Sequence, residues 1–150
     1  MAKYACVHQT AAGNDLPMIN LTGSAAIRVK IYDLVIGSDA APADVAGEFT
    51  INRTTDAGIG GTALTENPLD PLVVAATGAA IGGTFSTAPA DGTPVILLMV
   101  ALNQRATFRW VAAPGSELIS TATAANGLML NCVGFNSGTP NINSTFMWDE

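Results

Sequence analysis

The chain has 150 residues, of which 12 % are charged, with a formal net charge of −6. Its six basic residues, Lys3, Arg28, Lys30, Arg53, Arg105 and Arg109, are scattered, which excludes the clustered cations that hold a phosphate backbone, so no direct nucleic-acid contact is expected. The longest apolar run, residues 95–102, is far shorter than the ~20 residues of a membrane-spanning helix, and no membrane partner is expected.

The charged fraction is half the usual ~25 %, while 49 % of residues are hydrophobic and mean hydropathy is +0.35. Ala, Gly, Thr, Ser and Asn must therefore cover much of the surface. Weakly polar patches of that kind tend to be buried in assemblies. A chain of this length is expected to form one domain over residues 1–150, with an extended N-terminal segment at 1–20, burying roughly 70 % of its unfolded surface. The start MAKYACVHQT has no charged region followed by an apolar run, so a soluble protein made in the cytoplasm is expected. The sequons at Asn20, Asn52 and Asn143 then read as chance matches. Cys6 and Cys132 fit no zinc spacing. Two buried free thiols are expected, the alternative being a disulfide in an oxidising medium.

In chain order, residues 2–10 read as a first strand, broken by the polar run 11–15. Residues 26–36 alternate plainly, with Ile27, Val29 and Ile31 opposed to Arg28, Lys30 and Tyr32, as in a half-buried antiparallel strand. The loop 37–46 leads to a strand at 48–54, with Phe49, Ile51 and Arg53 on one face. Residues 56–62 are glycine-rich. Asp70 before Pro71 is a helix-entry signal, an N-cap acceptor followed by a residue whose missing N–H costs nothing at the first position. This predicts one short helix over residues 70–80, ended by Gly82 and Gly83.

Residues 84–87 form a strand candidate and 88–93 a turn. Residues 95–102 are apolar on both faces, which predicts a central strand covered on each side. Asn103 and Gln104 form a bend or bulge before alternation resumes at 105–112, with Phe108 and Trp110 on one face and Arg105, Thr107 and Arg109 on the other. Residues 113–116 turn the chain into a strand at 117–121. Asn126-Gly127 then suits a hairpin turn before strands at 128–133 and 142–148, separated by a loop at 134–141. About nine strands and one helix, with turn signals every 8 to 12 residues, predict an all-β, jelly-roll-like antiparallel β-sandwich.

Chemistry-bearing patterns are sparse. His8 is the sole histidine, no serine sits in a GxSxG elbow, and His8 reads as a half-buried strand residue. Asp56, Glu66, Asp70 and Asp91 all fall in turn or cap contexts. Residues 58–63 fit the letters of GxGxxA but lack a βαβ context and the downstream acid. No catalytic residue, metal ligand or cofactor is expected, and the chain does not read as an enzyme. Phe108 and Trp110 suit core packing, the alternative being a sugar-stacking platform. Arg53, Arg105 and Arg109 are the candidate interface residues, because Arg commonly pairs across subunit contacts, the alternative being a solvated face.

FTINRTTD at residues 49–56, NPLDPLVVAATGAAIGGTF at 67–85 and NQRATFRWVAAPGSELISTATAANGLML at 103–130 together resemble the capsid decoration, or cement, proteins of tailed bacteriophages, with cyanophage and marine-phage members most similar. The resemblance covers about half of the chain and leaves out the residues before Thr10 and after Gly134. It implies a homotrimeric jelly roll on the outside of a phage head, in the virion, with the major capsid protein as partner. A jelly-roll carbohydrate-binding or host-attachment module is the alternative.

Overall fold

A computed structural model describes residues 1–11, 16–39, 41–133 and 140–150. The described residues contain twelve strands and no helix. In chain order they are β1 (Lys3–Ala11), β2 (Leu16–Thr22), β3 (Lys30–Ser38), β4 (Ala46–Thr54), β5 (Thr62–Ala63), β6 (Asn67–Pro68), β7 (Ala79–Gly82), β8 (Ile96–Asn103), β9 (Phe108–Val111), β10 (Leu118–Ile119), β11 (Gly127–Val133) and β12 (Asn141–Asp149). They make two six-stranded antiparallel sheets. One runs β10-β3-β12-β1-β6, with β9 also paired to β3, and the other runs β5-β7-β2-β11-β4-β8. The backbone of the sandwich is thus β1-β12-β3-β9 facing β2-β11-β4-β8, and along these eight strands the chain changes sheet at every step except from β4 to β8. That winding is the jelly roll the alternation predicts.

The two inner faces interdigitate as the period-2 pattern dictates. Tyr4, Cys6, Ile31, Leu34, Ile36, Ile142, Phe146 and Trp148 of the first sheet meet Ile19, Leu21, Phe49, Ile51, Leu128, Leu130 and Cys132 of the second, all of them buried. Cys6 and Cys132 are both buried and neither is in a disulfide, as expected. Burial, with a smaller push from the Glu66 carboxylate, raises the Cys6 thiol to about 12 against the lowering effect of a backbone hydrogen bond at Phe146. Asn20 and Asn52 are buried too, which bars their sequons from modification in the folded chain.

Four local expectations are corrected. The first concerns residues 70–80, which make a single turn rather than a helix. Asp70 Oδ1 does accept from the Leu72 N–H at 3.0 Å and its carbonyl from the Val73 N–H at 3.0 Å. Beyond that turn, distant groups capture the backbone. Tyr4 donates its hydroxyl to the Val74 carbonyl at 3.1 Å, Glu150 accepts from the Thr77 and Gly78 N–H groups at 2.9 and 2.6 Å, and Glu66 accepts from Ala80 at 2.8 Å. Ala80 then pairs with Leu21 in β7. Glu150→Ala is expected to cost about 1–3 kcal/mol, the value of losing charge-assisted bonds to backbone donors, read as a lower urea midpoint with faster proteolysis within residues 69–78.

Second, residues 16–22, for which no strand was expected, form β2 despite Pro17. The proline is accommodated at a bulge, where β2 carries one residue more than β11. Third, residues 84–87 form only an isolated bridge, Thr87 to Ile59. Together with residues 55–61 they lie over the outer face of the second sheet, where Asn20 donates to the Asp56 carbonyl and Asn52 to Asp91. Fourth, Asn126-Gly127 makes no hairpin, since β10 and β11 belong to different sheets. The left-handed residue there is Ala125, with φ of 66°. Gly127 is needed for close approach, because a Cβ on it would lie 2.5 Å from the Leu21 carbonyl oxygen. The loop expected at 134–141 lies mostly outside the described residues, as does most of the break at 11–15.

Candidate assembly surface

The largest departure from expectation lies at β8. It is not a covered central strand: it is the last strand of its sheet, paired on one side with β4 and on the other with no described strand. Its burial is correspondingly partial. Leu98, Val100 and Leu102 stand opposite Ile51, Phe49 and Gly47 and pack against the core, whereas Met99 is 54 % and Ile96 46 % exposed. The preceding Val95 is also exposed.

From β8 the chain turns through residues 104–107 into β9, which lines the edge of the other sheet, so both strands fall on one lateral rim. The turn is tightly held. Gln104, 2 % exposed, accepts from the Ala43 N–H through Oε1 at 2.7 Å, and its carbonyl accepts from the Ser38 hydroxyl. Asn103 donates to Asp44 at 2.7 Å and accepts from the Arg105 N–H at 2.9 Å. This realises the bend expected at Asn103 and Gln104. Beneath it, the space among Ile36, Phe49, Leu102, Gln104 and Ile142 amounts to about 10 Å³, room for no more than one water. A shallow hollow at residues 56–59 and Thr87 is open to solvent.

The three candidate arginines do not form one cluster. Arg53 points between the sheets at the end of β4 and donates through Nε to the Ile119 carbonyl at 3.2 Å, tying the second sheet to β10 of the first. Arg109 makes a two-pronged ion pair on the outer face of the first sheet, Nε to Asp33 Oδ1 at 3.1 Å and Nη2 to Oδ2 at 2.6 Å, and these bonds raise its pKa. Asp33 is 4 % exposed beneath it. Lys3 lies over the Tyr32 ring, and Lys30 sits 3.8 Å from Asp149. Arg105, exposed at the turn, has no side-chain partner among the described residues. Arg53 and Arg105 flank opposite ends of β8, roughly 25 Å apart at ~3.3 Å per strand residue.

Phe108 and Trp110 stand opposite Ile36 and Leu34 and pack against the core, the expected use of aromatics on an alternating strand. Both are half-buried there. Other exposed apolar side chains, Leu69, Leu72 and Val74, lie on the loop that Tyr4, Glu66 and Glu150 hold down. Asp56, Asp70 and Glu117 accept from nearby backbone N–H groups.

His8, half-buried on β1, lies against Gly82 and Gly83, and its Nε2 is buried with no hydrogen-bond partner. Burial disfavours the imidazolium and lowers its pKa from 6.5. The unfolded chain therefore binds the proton more readily, and stability is expected to fall as pH drops below about 6.5. The stability difference between wild type and His8→Gln should shrink over that window. A pH-independent difference from pH 7.5 to 5 would contradict this. Comparison with protein families, with curated proteins and with solved structures found no match to this chain.

Proposed function

We propose that the chain is a structural virion protein, a trimeric decoration subunit that binds the major capsid protein on the outside of a phage head and stabilises the shell. The observation that carries the reading is the rim, where an uncharged strand with exposed Val95, Ile96 and Met99 lies beside the uncommitted cation Arg105. Apolar area shared between subunits stabilises a shell by about 25 cal/mol per Å², less the cost of ordering. The low charge and the likeness in residues 49–56, 67–85 and 103–130 support it further. The alternative, a jelly-roll carbohydrate-binding or host-attachment module using Phe108 and Trp110, is disfavoured because both rings pack inward.

Light scattering tests the reading. The mass should be three times 15.3 kDa or a higher multiple of three, and the protein should co-sediment with expanded phage heads. A stable monomer that leaves such heads bare would refute it.

A further inference from the structure

Hydrogen-bond phase decides which groups β8 offers outward. The Gln104 N–H bonds to the Val45 carbonyl at 2.9 Å, and Leu102, Val100 and Leu98 continue the same register opposite Gly47, Phe49 and Ile51. In an antiparallel ladder these residues turn both backbone groups toward β4, so Met99, Ala101 and Asn103 between them turn theirs away from the sheet. No described strand meets them.

Native sheets blunt such edges with short strands, charges, proline or bulges. The other edge strands do this: β5, β6 and β10 have two residues each, β6 contains Pro68, and β9 has four. β8 has eight residues and neither a charge nor a proline. Its one protection is a bulge, since Leu97 is the extra residue between Ile96 and Leu98, and that guards only the N-terminal end.

We infer that the free edge of β8 pairs antiparallel with β8 of a second copy of this chain, about a two-fold axis through Ala101. The occupant of this edge must be a strand, it must be long enough to engage Met99 through Asn103, and it must bring no charged side chain that the uncharged β8 would leave unpaired. Among the described sheet edges, only β8 itself meets all three conditions. A head-to-tail contact with β5, β6, β9 or β10 would leave most of β8 unpaired.

The register follows from the pleat. Cross-strand pairs share a face, so the axis passes through a residue and not between two. Through Ala101 it sets Ala101 opposite Ala101 and Met99 opposite Asn103, engaging all three outward residues of both copies. The Asn103 carbonyl already accepts from the Ala106 N–H at 2.9 Å and has a second lone pair to offer. Moving the axis to Val100 would place Asn103 opposite Leu97, in the bulge. The small Ala101 side chain also suits the close approach of two copies at the axis. Such a contact is isologous, so it is separate from any three-fold contact and does not depend on the decoration reading.

Two variants test it. In Ala101→Cys a short thiol-to-thiol cross-linker should yield about tenfold more double-mass product than in Thr121→Cys, because Cα atoms of such a pair lie about 5.5 Å apart. The native thiols are buried. Equal yields from the two variants would overturn the inference. Ala101→Pro deletes an outward N–H that an edge strand does not need for its own sheet and should halve the mass measured by light scattering. An unchanged mass in a variant with wild-type circular dichroism would also overturn it. The outcomes separate the two contacts. A wild-type trimer unaffected by Ala101→Pro keeps the decoration reading and removes the β8 pair, whereas a dimer reduced to monomer does the reverse.

Discussion

Trp148→Ala is expected to lower unfolding free energy by about 3–5 kcal/mol, the range for truncating a fully buried aromatic. Trp148 has no exposed surface and lies in β12, which pairs with both β1 and β3. It stacks on Tyr4 with ring centroids 5.6 Å apart and planes at 28°, an arrangement that contributes about 0.5–1.5 kcal/mol beyond burial. Its Nε1 also lies 3.5 Å from Glu150 Oε1, beside the carboxylate that holds Thr77 and Gly78. The truncation therefore loosens the loop as well as the core. Against a typical total of 5–15 kcal/mol it brings the fold close to marginal. Urea denaturation read by circular dichroism measures the loss. Trp110→Ala, on the half-buried edge strand β9, should cost clearly less, and equal costs would contradict the packing described.

Gly127→Val should be nearly as damaging, about 3 kcal/mol, at the upper end of what overpacking costs. A Cβ at this position would lie 2.5 Å from the Leu21 carbonyl oxygen and 2.9 Å from Asn20 Oδ1. The first is backbone of the paired strand β2 and cannot swing aside. The second belongs to a buried side chain that accepts from the Thr54 hydroxyl at 3.0 Å and donates to the Asp56 carbonyl at 3.1 Å. Gly115, with φ of +83° and nothing within 4 Å, is the control. Its replacement by Ala meets no neighbour and should cost only the ~1–2 kcal/mol of a left-handed residue. The same urea titration reports both, and a Gly127→Val protein as stable as Gly115→Ala would contradict the close strand approach.

The sandwich was legible because inward and outward residues alternate on β1, β3, β4, β9, β11 and β12, and a period of two admits few other readings. What was not legible has physical causes. Asp70-Pro71 is a sound helix start, yet carboxylates of Glu66 and Glu150, one 14 residues before Ala80 and the other 72 after Gly78, take the N–H groups beyond the first turn. Residues 16–22 carried no strand expectation, and the bulge that accommodates Pro17 in β2 is revealed only by the partner strand. For β8, a run of eight apolar residues says that both faces want cover; it does not say whether the cover comes from the same chain. The fold covers one face and leaves the edge open.

The candidate site was legible in part. The alternation at 105–112 put Arg109 outside and Trp110 inside, as found. Arg109 was read as a cation seeking a partner, and its partner is Asp33, 76 residues earlier, which no spacing could indicate. Arg53 shares the inward face of Phe49 and Ile51, and its backbone-carbonyl partner was likewise out of reach of sequence. Of these three arginines, only Arg105 has no side-chain partner among the described residues.

Residue-resolved amide exchange along β8 in the assembled protein tests the central claim, that this edge is an intermolecular contact. Leu98, Val100 and Leu102 are bonded to β4 and should be protected at any concentration. Met99, Ala101 and Asn103 should be protected to a similar degree when the protein is concentrated and lose that protection on dilution. Rapid exchange of these three at every concentration, beside protected neighbours, would show a bare edge and contradict the account.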